Sequence, residues 1–135
     1  MKNTGIISQM KTLKPIPLNA EKLNHHLSKL GFKVVVIDTV DSTNTRLKQE
    51  LSHHQHKDVL ISEEQSAGRG RHNRSFESNK HKGIYCSVVW DLNFNPRQVA
   101  WFSLMSAYAI AHALEKRTGL SIQIKWPNDL VVDGK

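Results

Sequence analysis

The sequence predicts one globular domain of the α/β class, because segments typical of strands alternate with segments typical of helices along the chain. Short β-branched runs such as 33–37 favour strands. The segments 21–30 and 97–118 carry apolar residues at helical spacing. With 135 residues and a hydrophobic fraction of 39%, the chain is long and apolar enough to bury a core.

The first half of the chain is predicted to contain two helices and two strands. Residues 1–18 include two prolines and are predicted to form an arm or linker, which leaves 19–135 as the domain. A helix over 21–30 is expected to begin at the N-cap Asn19 and to end at Gly31. The remaining elements of this half are a buried strand over 33–37, a helix over 45–51 and a strand over 59–62.

The second half is predicted to contain one long helix and three strands. A strand over 83–90 comes first, and the helix over 97–118 is apolar around most of its girth, so we expect it to be largely buried. Pro127 cannot donate to a ladder, so the chain must turn there. The last elements are strands over 122–124 and 130–132 and a hairpin turn at Asp133-Gly134, and we expect strand 130–132 to need a partner from outside this sequence.

Composition limits the class of protein. No apolar stretch reaches the roughly 20 residues that span a bilayer, and the N-terminus has no apolar core of the kind found in secretory signals. The single cysteine, Cys86, is predicted to be a buried apolar residue. These features favour a cytoplasmic protein. The formal net charge of +7 also allows an anionic partner, nucleic acid included.

The segment 64–74 is the most informative part of the sequence. It contains Gly68-Arg69-Gly70-Arg71 and a further arginine, Arg74. Glycine lets the backbone approach a ligand closely, and arginine offers a planar fork of donors to phosphate or carboxylate oxygens. Such a stretch is also found in solvated linkers and nucleic-acid tails. Its position between two predicted strands favours an ordered loop that binds an anion.

Two other polar groups stand next to predicted strands. Ser42, Thr43 and Asn44 follow the strand 33–37, where either hydroxyl can cap the next helix or contact a polar ligand. The segment 125–129 combines a lysine, an amide and the carboxylate of Asp129, which could hold Mg²⁺ together with phosphate oxygens. No Walker-type phosphate loop is present. Neutral donors, a phosphate clamp and a magnesium carboxylate together suggest nucleotide-dependent activation of a small acid.

Three strings of the sequence resemble those of the biotin protein ligases, also called biotin–[acetyl-CoA-carboxylase] ligases. They are Asp-Ser-Thr-Asn at 41–44, Glu-Gln-Ser-Ala-Gly-Arg-Gly-Arg at 64–71 and Lys-Trp-Pro-Asn-Asp-Leu at 125–130. The resemblance implies a mixed β-sheet packed on helices, related to class II aminoacyl-tRNA synthetases. It also implies a two-step reaction, in which biotin and MgATP form biotinyl-5′-AMP and the biotinyl group then passes to a lysine of a biotin carboxyl carrier protein.

The resemblance also implies roles for individual residues. Arg71 would contact the biotin carboxyl and the α-phosphate, Phe76 replaces the usual tryptophan near the adenine, and Asp129 would serve ATP and magnesium. Lys135 would be the first of two lysines at the adenylate-contacting position, and Asn73 replaces a glycine usual in the loop. The biotin-binding residues would be Ser42, Thr43, Asn44, Gln65, Arg69, Gly70, Arg71, Tyr85 and Ser87. The ATP-binding residues would be Gly68, Arg71, Arg74, Phe76, Asn128 and Asp129.

The resemblance further suggests that 19–135 is the N-terminal portion of a ligase catalytic domain, which by itself has reduced activity or none. The implied partners are biotin, ATP, the carrier protein of acetyl-CoA carboxylase and a second copy of the chain. DNA binding is not expected without a winged-helix domain. Two alternatives stay open at this stage: a ligase for another acid such as lipoate, and a basic nucleic-acid-binding module without enzymatic activity.

Overall fold

The computed structural model describes residues 17–70, 74–91, 93 and 95–134. They fall into two compact units, one within Leu13–Asp91 and the other within Leu92–Lys135. The first unit contains helix α1 (Ala20–Leu27), strand β1 (Lys33–Val40), helix α2 (Thr43–Gln49) and strands β2 (Asp58–Gln65) and β3 (Tyr85–Val88). The second contains helix α3 (Pro96–Thr118) and strands β4 (Gln123–Lys125) and β5 (Asp129–Val131).

A three-stranded mixed sheet forms the centre of the first unit. Its order is β1-β2-β3; β1 and β2 run parallel, and β3 runs antiparallel to β2. Val40 pairs with Gln65 at the carboxyl ends of β1 and β2, and Leu60 pairs with Ser87. This register brings the carboxyl ends of β1 and β2 together at the same end of the sheet. Both strand ends directly precede the predicted ligand segments.

Helix α1 and the sheet enclose an apolar core. Val34, Val59 and Ile61 are buried at its centre. Alternate residues of a strand face opposite sides, so Leu60 and Ser62 face away from the core formed by Val59 and Ile61. Strand β3 presents Ser87 and Tyr85 in register with these two residues. The polar residues Ser62 and Ser87 therefore lie on the face of the sheet opposite the α1 core.

The ends of α1 follow the sequence rules. Asn19 accepts a hydrogen bond from the backbone N–H of Lys22 at 2.8 Å, as an N-cap does. A short 3₁₀ turn, Ser28–Leu30, follows, and Gly31 ends it with a φ of 81°. The predicted helix and its N-cap are thus confirmed, but the α-helix ends at Leu27, and Gly31 ends the 3₁₀ turn instead.

The side chain of Asn24 ties α1 to the free edge of β1. Its Nδ2 donates to the carbonyl of Val34 at 2.7 Å, and its Oδ1 accepts from the N–H of Val34 at 2.9 Å. These are the two bonds that a neighbouring strand would make. The amide therefore satisfies backbone groups that β2, on the other side of β1, cannot reach.

The carboxylate of Glu63 joins two loops to the sheet. Glu63 is buried, its Oε1 accepts from the backbone N–H of Leu18 at 2.6 Å, and its Oε2 lies 3.1 Å from His81 Nδ1. An ion pair also links Lys80 to Asp38 of β1 at 2.5 Å, and the hydrogen bond from Lys80 lowers the pKa of the Asp38 carboxyl. Both contacts hold the segment before β3 against β1 and β2.

The second unit consists of α3 and a hairpin. Strands β4 and β5 pair antiparallel with Lys125 opposite Asp129, and the chain turns through Trp126, Pro127 and Asn128. The turn predicted at Pro127 is confirmed. Asp133 and Gly134 both have positive φ, at 52° and 77°, as the central residues of a type I′ turn do.

Four expectations need correction. Strand β1 runs to Val40 rather than 37, and it is buried on one face only, the face on which α1 packs against Val34. Strand β5 does have a partner within the chain, namely β4. Cys86 is exposed because it lies on the other edge strand, β3. Helix α3 is not largely buried, since among its described side chains only Ala107 and Ala111 are buried. The reason is that two three-residue strands cannot cover a 23-residue helix. Its exposed large apolar side chains are Val99, Trp101, Met105, Tyr108, Ile110 and Leu114.

Among the helices that the structure describes, none is both long and apolar enough to cross a lipid bilayer.

Removing the Asn24 amide should destabilise the first unit. Asn24→Ala leaves the N–H and C=O of Val34 without their side-chain partners, and we expect the free energy of unfolding to fall by about 1–3 kcal/mol. Urea denaturation followed by circular dichroism measures this change. The matched control is Gln49→Ala on the exposed side of α2, which should change stability by less than about 0.5 kcal/mol. Equal effects of the two variants would contradict the role assigned to Asn24.

Acid should weaken the first unit partly through Asp58. Its pKa is lowered chiefly because the Gln55 N–H donates to it at 3.0 Å and further by His54 at 3.2 Å, against the opposing effect of partial burial. A carboxyl with a lowered folded-state pKa stabilises the fold above its unfolded pKa of about 3.9, and this stabilisation is lost as the pH falls through the folded-state pKa. In Asp58→Asn, the free energy of unfolding should therefore fall less steeply as the pH is lowered below about 5. Denaturation curves at several pH values test this, and an unchanged slope would contradict it.

Candidate active site

Two buried hydroxyls stand where β1 passes into α2. Ser42 is the N-cap of α2, with an extended backbone and a side chain that accepts from the N–H of Thr45 at 3.4 Å. Thr43 is the first residue of the helix, and each of the two is only 4% exposed. The capping interpretation of Ser42 is therefore confirmed, and Thr43 is free to make a different contact.

Thr43 belongs to a network that joins three elements. Its backbone N–H donates to Gln65 Oε1 at 2.8 Å, and its hydroxyl lies 3.1 Å from the same oxygen. The hydroxyls of Thr43 and Ser87 are 2.9 Å apart. Gln65 and Ser87, which are 22 and 44 positions from Thr43 in the sequence, thus both contact it. The contacts join the end of β2 and strand β3 to the start of α2. We call Thr43, Gln65 and Ser87 the amide–hydroxyl cluster.

Two other residues predicted for the same site have different surroundings. Asn44 is exposed on the first turn of α2. Tyr85 is 8% exposed and lies two residues before Ser87, so both point to the same face of β3. Its hydroxyl donates to the carbonyl of Asn79 at 2.9 Å, which fixes the ring beside the segment that leads into β3.

The glycine-arginine loop begins directly after Gln65. The N–H groups of Ser66 and Ala67 donate to the carbonyls of Val40 and Asp41 at 2.8 Å, which continues the pairing of β2 with β1. The two sides of the loop then pair with each other, because Gly70 N–H donates to Arg74 at 2.7 Å and Phe76 N–H donates to Gly68 at 2.8 Å. Arg71, His72 and Asn73 lie outside the described residues, so the role predicted for Arg71 stays a prediction.

Gly68 has a clear steric requirement. It is buried, and a Cβ at this position would lie 2.4 Å from the carbonyl oxygen of Phe76 and 2.7 Å from Ser78 Oγ. Any side chain would push the returning strand of the loop away from the sheet. Glycine here therefore allows the loop to close against the amide–hydroxyl cluster.

The cationic and aromatic groups of the loop are exposed. Arg69 and Arg74 are solvent-accessible, and Phe76 is 56% exposed. Phe76 is not a core residue, so its ring is open to a ligand. A depression of about 400 Å³ is lined by both Phe76 and Tyr85.

A larger cavity lies elsewhere in the first unit. It measures about 630 Å³ between β1 and α2, and it is lined by apolar residues such as Val35 and Ile37 with a charged rim. None of the residues predicted for biotin or ATP lines it. We place the candidate site at the amide–hydroxyl cluster, because convergent polar groups rather than volume determine how a polar ring is bound.

The third predicted group belongs to the second unit. Asn128 lies in the turn between β4 and β5, Asp129 begins β5, and both are exposed. In the described part of the chain, no three or more histidine, cysteine, aspartate or glutamate residues cluster as a metal site. Asp129 would thus offer a magnesium ion one carboxylate, which fits an ion bound largely through phosphate oxygens. Lys135 is not among the described residues.

The structure adds one residue that the sequence analysis did not find. Ser78 is 3% exposed, and its Oγ accepts from Gln65 Nε2 at 3.0 Å and donates to the carbonyl of Phe76 at 3.2 Å. A single serine in a polar loop has no local pattern that would reveal this position. Only the pairing of Gln65 with Ser78 across the loop brings it to the site.

The amino-acid sequence matches a known family over most of its length. A model of the biotin/lipoate A/B protein ligase family matches residues 36–135, which contain all three diagnostic strings. The chain is 33% identical over 118 residues to the bifunctional ligase/repressor BirA of Escherichia coli, covering 87% of this chain and 36% of that protein. It is 30% identical over 131 aligned positions to the biotin–[acetyl-CoA-carboxylase] ligase of Mycobacterium tuberculosis, covering 90% of this chain and 49% of that protein. The chain therefore spans between about a third and a half of the length of these two relatives.

Solved structures give the same assignment. A biotin protein ligase from Aquifex aeolicus in complex with biotin and ATP matches with a TM-score of 0.62 and 30% identity, over 72% of this chain and 40% of that one. A biotin protein ligase from Leishmania major in complex with biotin matches with a TM-score of 0.62 and 21% identity, over 76% of this chain and 47% of that one, which supports the fold alone. The predicted mixed sheet packed on helices is confirmed. The chain belongs to the biotin/lipoate A/B protein ligase family.

Proposed function

We propose that residues 19–135 are the N-terminal portion of the catalytic domain of an ATP-dependent biotin protein ligase, preceded by an arm over 1–18. The ligase forms biotinyl-5′-AMP from biotin and ATP and then transfers the biotinyl group to a lysine of the biotin carboxyl carrier protein of acetyl-CoA carboxylase. The observation that carries the proposal is the amide–hydroxyl cluster, which stands at the base of the glycine-arginine loop in a chain of this family.

The cluster suits the ring end of biotin. A cyclic urea is small, flat and polar, and it needs hydrogen-bonding partners fixed in a largely buried setting. Thr43, Gln65 and Ser87 offer such partners, because the Thr43 hydroxyl lies about 3 Å from both Gln65 Oε1 and the Ser87 hydroxyl. Tyr85 on the same face of β3 supplies an aromatic wall, and Ser42 and Asn44 complete the polar rim. A carboxylate at the other end of the ligand would then extend toward Arg69 and Gly70.

The loop suits the adenylation step. Biotin carboxylate and ATP are both anions, so their approach is unfavourable without nearby cations. Arg69, Arg71 and Arg74 are close together in the sequence, and Gly68 and Gly70 would let the backbone come close to the phosphates. Losing one well-placed donor of this kind typically lowers the rate about 10²–10³-fold. Phe76 is exposed beside the loop and would cover the adenine.

Asn128 and Asp129 would bind ATP and its magnesium ion. The ion would neutralise phosphate charge when bound, and the exposed carboxylate of Asp129 would hold it in place. Lys135 is proposed to contact the adenylate. We propose a cytoplasmic enzyme, with a second copy of the chain as a further partner.

A lipoate-type ligase is the second candidate, because the family model covers both acids. Lipoate carries no N–H group on its ring, so it cannot use hydroxyl oxygens that accept hydrogen bonds. A nucleic-acid-binding module rests only on the net charge of +7. Its binding would weaken steeply with salt and would be unaffected by biotin.

Calorimetry with the chain tests the proposed function. We expect saturable binding of biotin, no binding of lipoate at the same concentration, and tighter binding of biotin when MgATP is present. Binding of lipoate in preference to biotin would favour the second candidate. Binding of neither acid would contradict the proposal. Incubation with MgATP and an unmodified carrier domain then measures how much transfer this portion supports.

Loss of the Thr43 hydroxyl should weaken biotin binding. Thr43→Val keeps the shape of the side chain but leaves Gln65 and Ser87 without their shared partner, at a cost of about 1–3 kcal/mol, or roughly 10- to 100-fold in dissociation constant. The matched control is Thr39→Val on exposed β1, which should bind as the unmodified chain does. Equal affinities of the two variants for biotin would contradict the proposal that Thr43 belongs to the biotin site.

A further inference from the structure

The ring of Tyr85 borders two parts of the candidate site. Tyr85 is buried and lies two residues before Ser87 of the amide–hydroxyl cluster, so both side chains point to the same face of β3. The same ring also lines the depression of about 400 Å³ that Phe76 borders. One aromatic ring is therefore a wall of both parts.

A single carbonyl oxygen fixes this ring. The carbonyl of Asn79 accepts from the Tyr85 hydroxyl at 2.9 Å and from the N–H of Lys82 at 3.1 Å. A carbonyl oxygen has two lone pairs, so these contacts use both of them. The turn before β3 and the first side chain of β3 are thus held at one point.

Gly83 leaves the ring the space that this contact needs. A Cβ at this position would lie 2.9 Å from Cε1, 3.0 Å from the hydroxyl oxygen and 3.1 Å from Cζ of Tyr85. The φ of Gly83 lies outside the left-handed region, so an alanine can take up the same backbone conformation. The ring is buried and its hydroxyl is bonded, so it cannot move aside without losing the bond to Asn79. Glycine is therefore required here by the tyrosine ring and not by the backbone.

We infer that Gly83 is a positioning residue that acts through the Tyr85 ring on both ligands of the proposed ligase, biotin on the side of the cluster and the nucleotide on the side of Phe76. This inference rests on the proposed function and adds to it a wall shared by the two ligands. A side chain at residue 83 displaces that wall. Both affinities should therefore fall together.

Calorimetry of Gly83→Ala measures this effect, with biotin and MgATP titrated separately so that no adenylate forms. We expect both dissociation constants to rise about tenfold, the scale of one lost hydrogen bond. The matched control, Ser52→Thr, adds one methyl group to an exposed turn outside the site and should leave both values unchanged. A folded Gly83→Ala variant that keeps its affinity for either ligand would overturn the inference.

A double variant, Gly83→Ala with Tyr85→Leu, separates the action through the ring from a general loss of stability. Leucine lacks the Cε1, Cζ and hydroxyl atoms that a Cβ at residue 83 would meet, so the added methyl group has room. We expect the double variant to bind both ligands as Tyr85→Leu alone does. A further loss of about tenfold in the double variant would overturn the inference.

The double variant also keeps the test decisive if Gly83→Ala does not fold by itself. Recovery of folding in the double variant would then support the inference, and its failure to fold where Tyr85→Leu folds would overturn it.

The position of the ring can also be measured without a ligand, because the chain has two tyrosines. In a chain with ¹³C-labelled tyrosine rings, Gly83→Ala should shift the nuclear magnetic resonance signal of Tyr85 and leave that of Tyr108 in place. An unshifted Tyr85 signal would overturn the inference while leaving biotin binding by the unmodified chain in place. Failure of the unmodified chain to bind biotin would instead overturn the proposed function.

Discussion

The side-chain amide of Gln65 is the contact on which the candidate site depends. It stands at the end of β2 and meets the first residue of α2 on one side and the segment before β3 on the other. Without it, the pairing of β1 with β2 would still form, but nothing described would hold Thr43 and Ser78 at a common point. An amide is suited to this position because its two ends have opposite hydrogen-bonding character.

The sheet supplies the precision that this contact needs. Parallel pairing of β1 and β2 brings the carboxyl ends of both strands together, and the glycine-arginine loop continues that pairing for two more residues. The antiparallel strand β3 then returns Ser87 to the same face. A small site with three contributing elements is held by backbone ladders, so the side chains lose little freedom when a ligand binds.

Much of the first unit could be predicted from local signals. Asn19, Gly31 and the β-branched run after it fixed α1 and β1, and the residue types at 42–44 and 65–74 pointed to a polar ligand before any contact was known. Ser78 could not be predicted, because its importance arises from a pairing 13 residues away in sequence. The burial of α3 was predicted wrongly, since periodicity reports how apolar a helix is and does not report how much surface is available to cover it.

The most direct measurement is a titration of the isotope-labelled chain with biotin, followed by nuclear magnetic resonance of backbone and side-chain amides. We predict that the largest shifts fall on the backbone N–H of Thr43, the side-chain amide of Gln65 and the backbone N–H of Ser87. Shifts confined to Val35, Ile37 and the cavity between β1 and α2, with these three groups unchanged, would contradict the account.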